Sequence, residues 1–326
     1  MKPKILLTGK NGQLGSELAR LLPRLGELIA LSRQQLDLTN AAEIRRTIRE
    51  HRPQIIVNAA AYTAVDQAEK EEPLARSINT DAPAVMAEEA KKIGAMIVHY
   101  STDYVFDGLK NTPYEEDDAP NPLNVYGKTK LAGEQAIVST GVPHLIFRTE
   151  WVYATSGRNF LLTILRLATQ REELRIVRDQ IGSPTWSRAI AAATLKVLAN
   201  LLEKVADDPA AAFSAISGTY HLTAAGKTSW YEFAKAILEE AARAPKDAPW
   251  FEAATSGKQL VTQRVIPITT VEFPTPARRP AYSVLSNHKF RNATNFQLQD
   301  WRTQLQMAFR ETPPEEVLQS LTISKP

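Results

Sequence analysis

Short apolar runs alternating with amphipathic stretches organise the first half of the chain. Lys4 to Thr8 is an apolar run of strand length, and Gly9-Lys-Asn-Gly12-Gln-Leu-Gly15 then opens a helical pattern through Leu18, Leu21 and Leu22. Glu27 to Leu31 predicts a second strand, Ala41 to His51 a helix, Ile55 to Val57 a third strand and Asp81 to Ile93 another helix. Ala95 to Tyr100 predicts a fourth strand, and Val142 to Arg148 a fifth, with the proline-rich loop Pro113 to Pro122 between them. Strand and helix in regular alternation imply a parallel sheet with right-handed crossovers and a ligand crevice at the strands' carboxyl ends. The fold class is therefore α/β: a Rossmann-type, doubly wound parallel sheet with a smaller C-terminal lobe. In the second half, helical patterns cover Asn159 to Gln170, Ser187 to Glu203 and Ser229 to Ala242, with Ser229 at the capping position. Gly218 to Leu222 reads as a strand, no internal repeat is visible, and the polar end from about Thr312 is expected to be loosely ordered.

The glycine turn carries the first chemistry. Its Gly-x-x-Gly-x-x-Gly spacing permits a tight turn, lets backbone amides approach a pyrophosphate, and sets that anion at a helix N-terminus. A ligand-free turn is the alternative, but the strand before and the helix after favour a dinucleotide. After the second strand, where an acid would hold a free ribose 2′-hydroxyl, stands Arg33, which suits a 2′-phosphate and hence NADPH. NADH stays open because Asp37 can face the adenosine, and Arg33 can equally be a solvated surface residue. Asn58-Ala-Ala-Ala61 closes the third strand with small side chains against which a flat cofactor can lie. These features divide the chain at residues 1–150, a dinucleotide-binding domain, and 151–326, mainly a substrate lobe with some segments returning to the first domain.

Tyr126-Gly-Lys-Thr-Lys130 places a tyrosine and a lysine four residues apart on one helix face. An ammonium beside a phenol stabilises the phenolate, so the pair can deliver a proton to a ketone oxygen and recover it. The fourth strand ends in Ser101-Thr102-Asp103-Tyr104, where the Thr102 hydroxyl could bind the same oxygen; alone it would read as a turn or cap residue. Thr102, Tyr126 and Lys130 together make a constellation for ketone reduction.

Composition narrows the surroundings. The chain has 326 residues, 44% hydrophobic and 23% charged, which suits a soluble globular protein with a sizeable core. A formal charge of +3, spread without a basic face, argues against nucleic acid. There is no cysteine for a disulfide or thiolate site, no apolar run of membrane-spanning length, and Met1-Lys-Pro-Lys leads straight into a strand instead of a signal peptide, so a cytoplasmic protein without a membrane partner is expected.

The ordered segments resemble the extended short-chain dehydrogenase/reductase family, and within it the branch reducing dTDP-linked keto-deoxy sugars. The resemblance covers most of the chain. It rests on the glycine turn, Asn58-Ala-Ala-Ala-Tyr-Thr-Ala-Val-Asp66, His99-Tyr-Ser-Thr-Asp-Tyr-Val-Phe-Asp107 and Pro122-Leu-Asn-Val-Tyr-Gly-Lys-Thr-Lys130. Phe147-Arg-Thr-Glu-Trp-Val-Tyr153, Asp179-Gln-Ile-Gly-Ser-Pro-Thr185 and Pro274-Thr-Pro-Ala-Arg-Arg-Pro280 extend it.

The implied reaction reduces the C4 ketone of dTDP-4-dehydro-β-L-rhamnose to dTDP-L-rhamnose. By the resemblance Tyr126 donates the proton, Thr102 holds the ketone oxygen, and Lys130 holds the nicotinamide ribose while lowering the tyrosine's pKa. The cofactor would contact Gly9, Asn11, Gly12, Gln13, Leu14, Gly15, Arg33, Asp37, Leu38, Ala59, Ala60, Ala61, Tyr100, Tyr126 and Lys130. Thr102, Asp103 and Trp151 would touch the sugar, a core tryptophan being the alternative for Trp151. Arg278 and Arg279 either face the substrate diphosphate or lie in a solvated turn. Some members hold magnesium between subunits through acidic side chains; Glu17 matches one such place, while Trp186-Ser-Arg-Ala189 supplies no second acid. Magnesium and the choice between monomer and homodimer thus stay open. Epimerases and dehydratases use the same Tyr and Lys pair, but dehydratases of the family carry Thr-Asp-Glu where this chain has Tyr104. A non-catalytic binding role, as in the regulatory subunit of methionine adenosyltransferase, is the alternative of another class.

Overall fold

In the computed structural model, which describes residues 2–204, 213–244 and 248–321, six strands form one parallel sheet. They are β1 (Lys4–Thr8), β2 (Glu27–Leu31), β3 (Ile55–Asn58), β4 (Met96–Thr102), β5 (His144–Thr149) and β6 (Gly218–His221), arranged β6-β5-β4-β3-β1-β2. Continuous apolar runs make these strands because both faces are covered. The pleat sorts their side chains into two cores. Ile5, Leu7, Ile55, Val57, Met96 and Val98 face one cluster, while Leu6, Ile56 and Ile97 face the other.

Helices α1 (Gln13–Leu21) and α6 (Ser187–Lys204) cover the first face. The second is covered by α2 (Ala41–His51), α3 (Ala82–Ile93) and α4 (Val125–Thr140), while α5 (Phe160–Ala168), in the later half of the chain, joins the core of the first face through Leu161, Ile164 and Leu165. The Asn40 side chain caps α2 by accepting from Glu43 N at 3.1 Å, and Asn124 caps α4 by accepting from Gly127 N at 2.8 Å. Both β6 and α6 lie beyond residue 150, so the chain comes back to complete the sheet and its cover. In the small lobe, short strands pair Glu173–Val177 with Arg264–Ile268 and Ile181–Gly182 with Thr228–Ser229. Helix α7 (Trp230–Arg243) starts at the Ser229 cap, whose hydroxyl accepts from Glu232 N at 3.1 Å.

Two elements depart from the sequence reading. The helix expected from Asp81 is preceded by a wide π turn over Ser77–Asp81, which lets the Asn79 carboxamide accept from Tyr62 N at 2.8 Å and donate to Tyr62 O at 3.1 Å. The end of the chain is ordered as far as it is described: Pro314–Ser320 is a helix, α8, whose Val317 is buried against α6, as is Leu321 just beyond it, and the expectation for residues 322–326 lies outside the described residues. Two apolar side chains in a polar segment were enough to anchor it. Among the described residues no helix is long and apolar enough to cross a membrane.

Candidate active site

The chain reverses its direction of winding between β1 and β3, and a cleft of about 970 Å³ opens at the carboxyl ends of these strands. At one end lies the glycine turn. Gly9 has φ +74°, and a Cβ there would meet Ala60 N at 2.8 Å, so only glycine lets β1 pass so near the end of β3. Gly12 stands at the start of α1 with no side-chain cap, leaving the helix's first amides for a ligand.

Asn11, Gln13, Leu14, Arg33, Asp37 and Leu38 line the same cavity as Gly9 and Gly12, with Ala59, Ala60 and Ala61 beside them. Gly15 is the exception among the expected contacts. It is buried under the turn, where a Cβ would lie 1.9 Å from Gly9 O, so it serves the packing of helix on strand. Arg33 is exposed at the rim, and its charge joins hydrogen bonds from Thr39 N and Oγ1 in holding Asp37 below its ordinary range.

Thr102, Asp103, Tyr126, Lys130 and Trp151 line the other part of the cavity, as does Tyr100. Thr102 Oγ1 donates to Asp103 Oδ1 at 2.9 Å and accepts from Tyr104 N at 3.1 Å, which fixes the hydroxyl at the mouth of β4. Tyr126 borders the cleft one helical turn before Lys130 and packs edge-on against Tyr104. Burial pushes its phenol up to about 12, the Asp103 charge adds to this, and a hydrogen bond with Thr102 opposes both. The sequence reading had Lys130 lowering this value. Here Lys130 Nζ instead donates to Tyr100 O at 2.6 Å and lies 3.1 Å from His99 Nε2, while burial brings its own ammonium down to about 8. The desolvation that a surface view of the helix face leaves out is the larger effect.

Four features were missed. Glu150, buried in the cleft wall, faces Asp103; Ser283 Oγ donates to its carboxylate at 3.1 Å. Burial takes Asp103 up to about 7 against the hydrogen bonds it accepts, and burial raises Glu150 well above its ordinary range, with the Asp103 charge adding to that rise. Trp230 stacks on Trp151 with ring centres 3.5 Å apart and planes within 7°. Trp151 itself holds φ 46°, an uncommon backbone for a bulky residue and one found at ligand clamps. His99 and Asn58 lie buried beneath Lys130. Glu150, beside Trp151 at a strand end, and His99, polar within a buried strand, were signals available in the sequence; Trp230 gave none.

The two outlying expectations are resolved by pairing. Arg279 makes a fork to Asp66, with bonds of 3.1 and 2.8 Å, and also donates to Ala277 O, so its guanidinium is taken up in joining the C-terminal segment to the short helix Val65–Ala68 beyond β3. Arg278 gives its carbonyl to Asn124 Nδ2 at 2.7 Å. Neither lines the cleft. Glu17 accepts two bonds from Arg188, at 3.0 and 2.9 Å, so its charge is already met by a guanidinium, which would repel a magnesium ion placed there. Among the described residues no group of three or more His, Cys, Asp or Glu could hold a metal.

The sequence from residue 2 to 313 matches the family model described as the RmlD substrate binding domain. The chain belongs to that family. It is 47% identical to a dTDP-4-dehydrorhamnose reductase of Burkholderia thailandensis over 94% of this chain and 98% of that protein. To the dTDP-4-dehydrorhamnose reductase of Escherichia coli it is 43% identical, over 94% and 97% of the two chains. Among solved structures, a dTDP-4-dehydrorhamnose reductase from Bacillus anthracis in complex with NADP superposes with a TM-score of 0.81 at 36% identity, covering 96% of this chain and all of that one. A UDP-glucose 4-epimerase from Thermus thermophilus shares the fold alone, at 19% identity and a TM-score of 0.70. As an RmlD-family chain, the protein is an oxidoreductase of the Rossmann type.

Proposed function

We propose that this chain reduces the C4 ketone of dTDP-4-dehydro-β-L-rhamnose to dTDP-L-rhamnose with NADPH, NADH being the weaker alternative. The observation that carries the reading is the cleft itself, which joins a dinucleotide-type glycine turn to Thr102, Tyr126 and Lys130 in a chain of this family. The bound nicotinamide supplies the hydride. Gly9, Gly12 and the free amides of α1 fit its pyrophosphate, and Arg33 fits the 2′-phosphate.

Tyr126 is the proton donor to the reduced oxygen, and its raised pKa keeps it a phenol at neutral pH, as a donor must be. Thr102, turning its hydroxyl hydrogen from Asp103 to the cleft, would donate to the ketone oxygen, while Asp103 and the stacked Trp151 orient the sugar. Lys130 holds the ribose. Tyr104, in place of the acid of a dehydratase, speaks against loss of water.

The test is oxidation of NADPH followed at 340 nm on addition of the dTDP-linked keto sugar, with the product's C4 configuration read by NMR. Turnover to the rhamno product is expected; the opposite configuration would assign a sister reductase, and no turnover would reject the reading. Arg33→Ala should raise the KM for NADPH far more than that for NADH, and equal changes would remove Arg33 from the 2′-phosphate.

A further inference from the structure

The first turn of α4, which carries Tyr126, is held from outside the cleft by a ring of contacts. Asn124 Oδ1 accepts from Gly127 N at 2.8 Å, while Asn124 Nδ2 donates to Arg278 O at 2.7 Å. Arg279, the next residue, forks to Asp66, and Ala277 N donates to the same carboxylate at 3.1 Å. Glu69, just beyond the short helix that bears Asp66, closes the ring by accepting from Val125 N at 2.8 Å. Asn124 is 2% exposed and does not line the cleft.

Its two partners leave the carboxamide one orientation. A backbone N–H can only donate and a carbonyl can only accept, so the oxygen faces Gly127 and the nitrogen faces Arg278. The oxygen serves as a helix cap, a task that serine or aspartate does about as well. The nitrogen fastens the segment 275–286. That segment also reaches Glu150, to which Ser283 Oγ and Leu285 N donate at 3.1 and 3.3 Å. It pairs with the small lobe as well, where Ile181 N donates to Ala281 O and Ser283 N to Ile181 O, both at 2.8 Å. One buried side chain thus joins the helix of Tyr126 to a strap that touches both the cleft wall and the small lobe.

On its other side the same turn meets the end of β4. A Cβ on Gly127 would lie 2.2 Å from Tyr104 O, so α4 rests directly on the backbone just after Thr102 and Asp103. The Tyr126 phenol meets the Thr102 side chain across this contact. The separation of these two hydroxyls, which must both serve one ketone oxygen, therefore depends on how far the turn is drawn toward the strap. A displacement of about 1 Å at such a place can cost on the order of 10²-fold in rate.

We propose that Asn124 is a positioning residue for the proton donor, and that its bond to the Arg278 carbonyl sets Tyr126 opposite Thr102. The inference deepens the reductase reading and rests on it for the role of Tyr126. Lys130, one turn further along, is anchored separately on Tyr100 O at 2.6 Å. Loss of the Asn124 bond should accordingly lower kcat and leave NADPH affinity alone.

The test uses the full chain and two variants that keep a capping oxygen, Asn124→Ser and Asn124→Asp. Serine is too short to reach Arg278 as well as Gly127, and aspartate sets an acceptor against that carbonyl. Both variants should melt cooperatively and bind NADPH within about twofold of the wild type, while kcat with the dTDP-linked keto sugar falls by roughly 10-fold or more. Because the residue acts through Tyr126, adding Asn124→Ser to Tyr126→Phe should lower kcat no further, whereas a general loosening of the site would multiply the two losses. A second readout needs no turnover: with 3-fluorotyrosine incorporated, the ¹⁹F resonance assigned by its loss in Tyr126→Phe should shift in both variants. An unchanged kcat, an equal loss of kcat and NADPH affinity, or multiplied losses in the double variant would overturn the proposal. Loss of the cooperative melt in both single variants would do so too, since the bond would then be a requirement of the fold. A wild type that turns over no keto sugar rejects the reductase reading instead; the ¹⁹F resonance then decides the proposal alone, a shift supporting it and an unmoved line overturning it.

Discussion

At the residue scale, the cleft places weakly acidic groups where burial, not charge pairing, sets their protonation. Tyr126→Phe removes only a hydroxyl at the cleft edge, so the fold and NADPH affinity should persist while kcat falls by about 10²-fold or more, the usual contribution of a positioned acid. Near-normal turnover would mean that the proton comes from elsewhere.

Asp103 makes the opposite kind of prediction, one of stability. Its folded pKa of about 7 lies above the unfolded value of 3.8, so the folded state binds more protons across that window and stability falls as pH rises through it. Asp103→Asn should therefore leave stability nearly unchanged below pH 3.8 and raise it by roughly 1–4 kcal/mol above pH 7, as read by urea melts across that range. A constant difference with pH would remove the buried-charge account. The sequence made Tyr126, Lys130 and Thr102 visible because their spacing and order carry their chemistry. It hid Glu150 and the true setting of Lys130, since the cost of desolvation belongs to neighbours brought in from β3, β4 and the C-terminal segment.

At the element scale, strands and helices of the first half were legible because each apolar run had the period its environment demands. The five early strands lie within a residue or two of the predicted runs. The π turn at Ser77–Asp81 was not, because it answers to a tertiary contact between Asn79 and the Tyr62 backbone. Close approaches in the lobe are of the same nature. A Cβ on Gly182 would lie 2.5 Å from the Trp151 ring and 2.7 Å from Glu150 Oε2, so Gly182→Ala should push the tryptophan off Trp230. The expected result is a severalfold rise in KM for the sugar nucleotide, with NADPH affinity spared because the glycine turn lies at the far part of the cleft. Intrinsic tryptophan fluorescence should change in the free protein; an unaltered spectrum and KM would show that the stack tolerates the methyl group.

At the scale of the whole molecule, a boundary at residue 150 does not mark a unit of folding. Strand β6 pairs with β5 in register Gly218 to Leu145 through His221 to Arg148, and α6 packs on α1 through the buried Arg188 and Glu17 pair. A chain ending at residue 150 would lose both. Ile5, Leu7, Leu18, Val57, Val98 and Phe147 would then lack the cover supplied by Ile190, Leu198 and the alanines between them. The edge of β5 would also lie open, and Glu17 would keep its place without its cation. An exposed apolar sheet face with an unpaired edge favours association over a stable monomer. Fragment 1–150 should therefore aggregate or remain molten, with helical far-UV signal but no near-UV signal and no cooperative melt, whereas the full chain should unfold in one transition. A dispersed NMR spectrum and a sharp melt for the fragment would show that the first half closes its own core, and that the returning strand and helix only extend it.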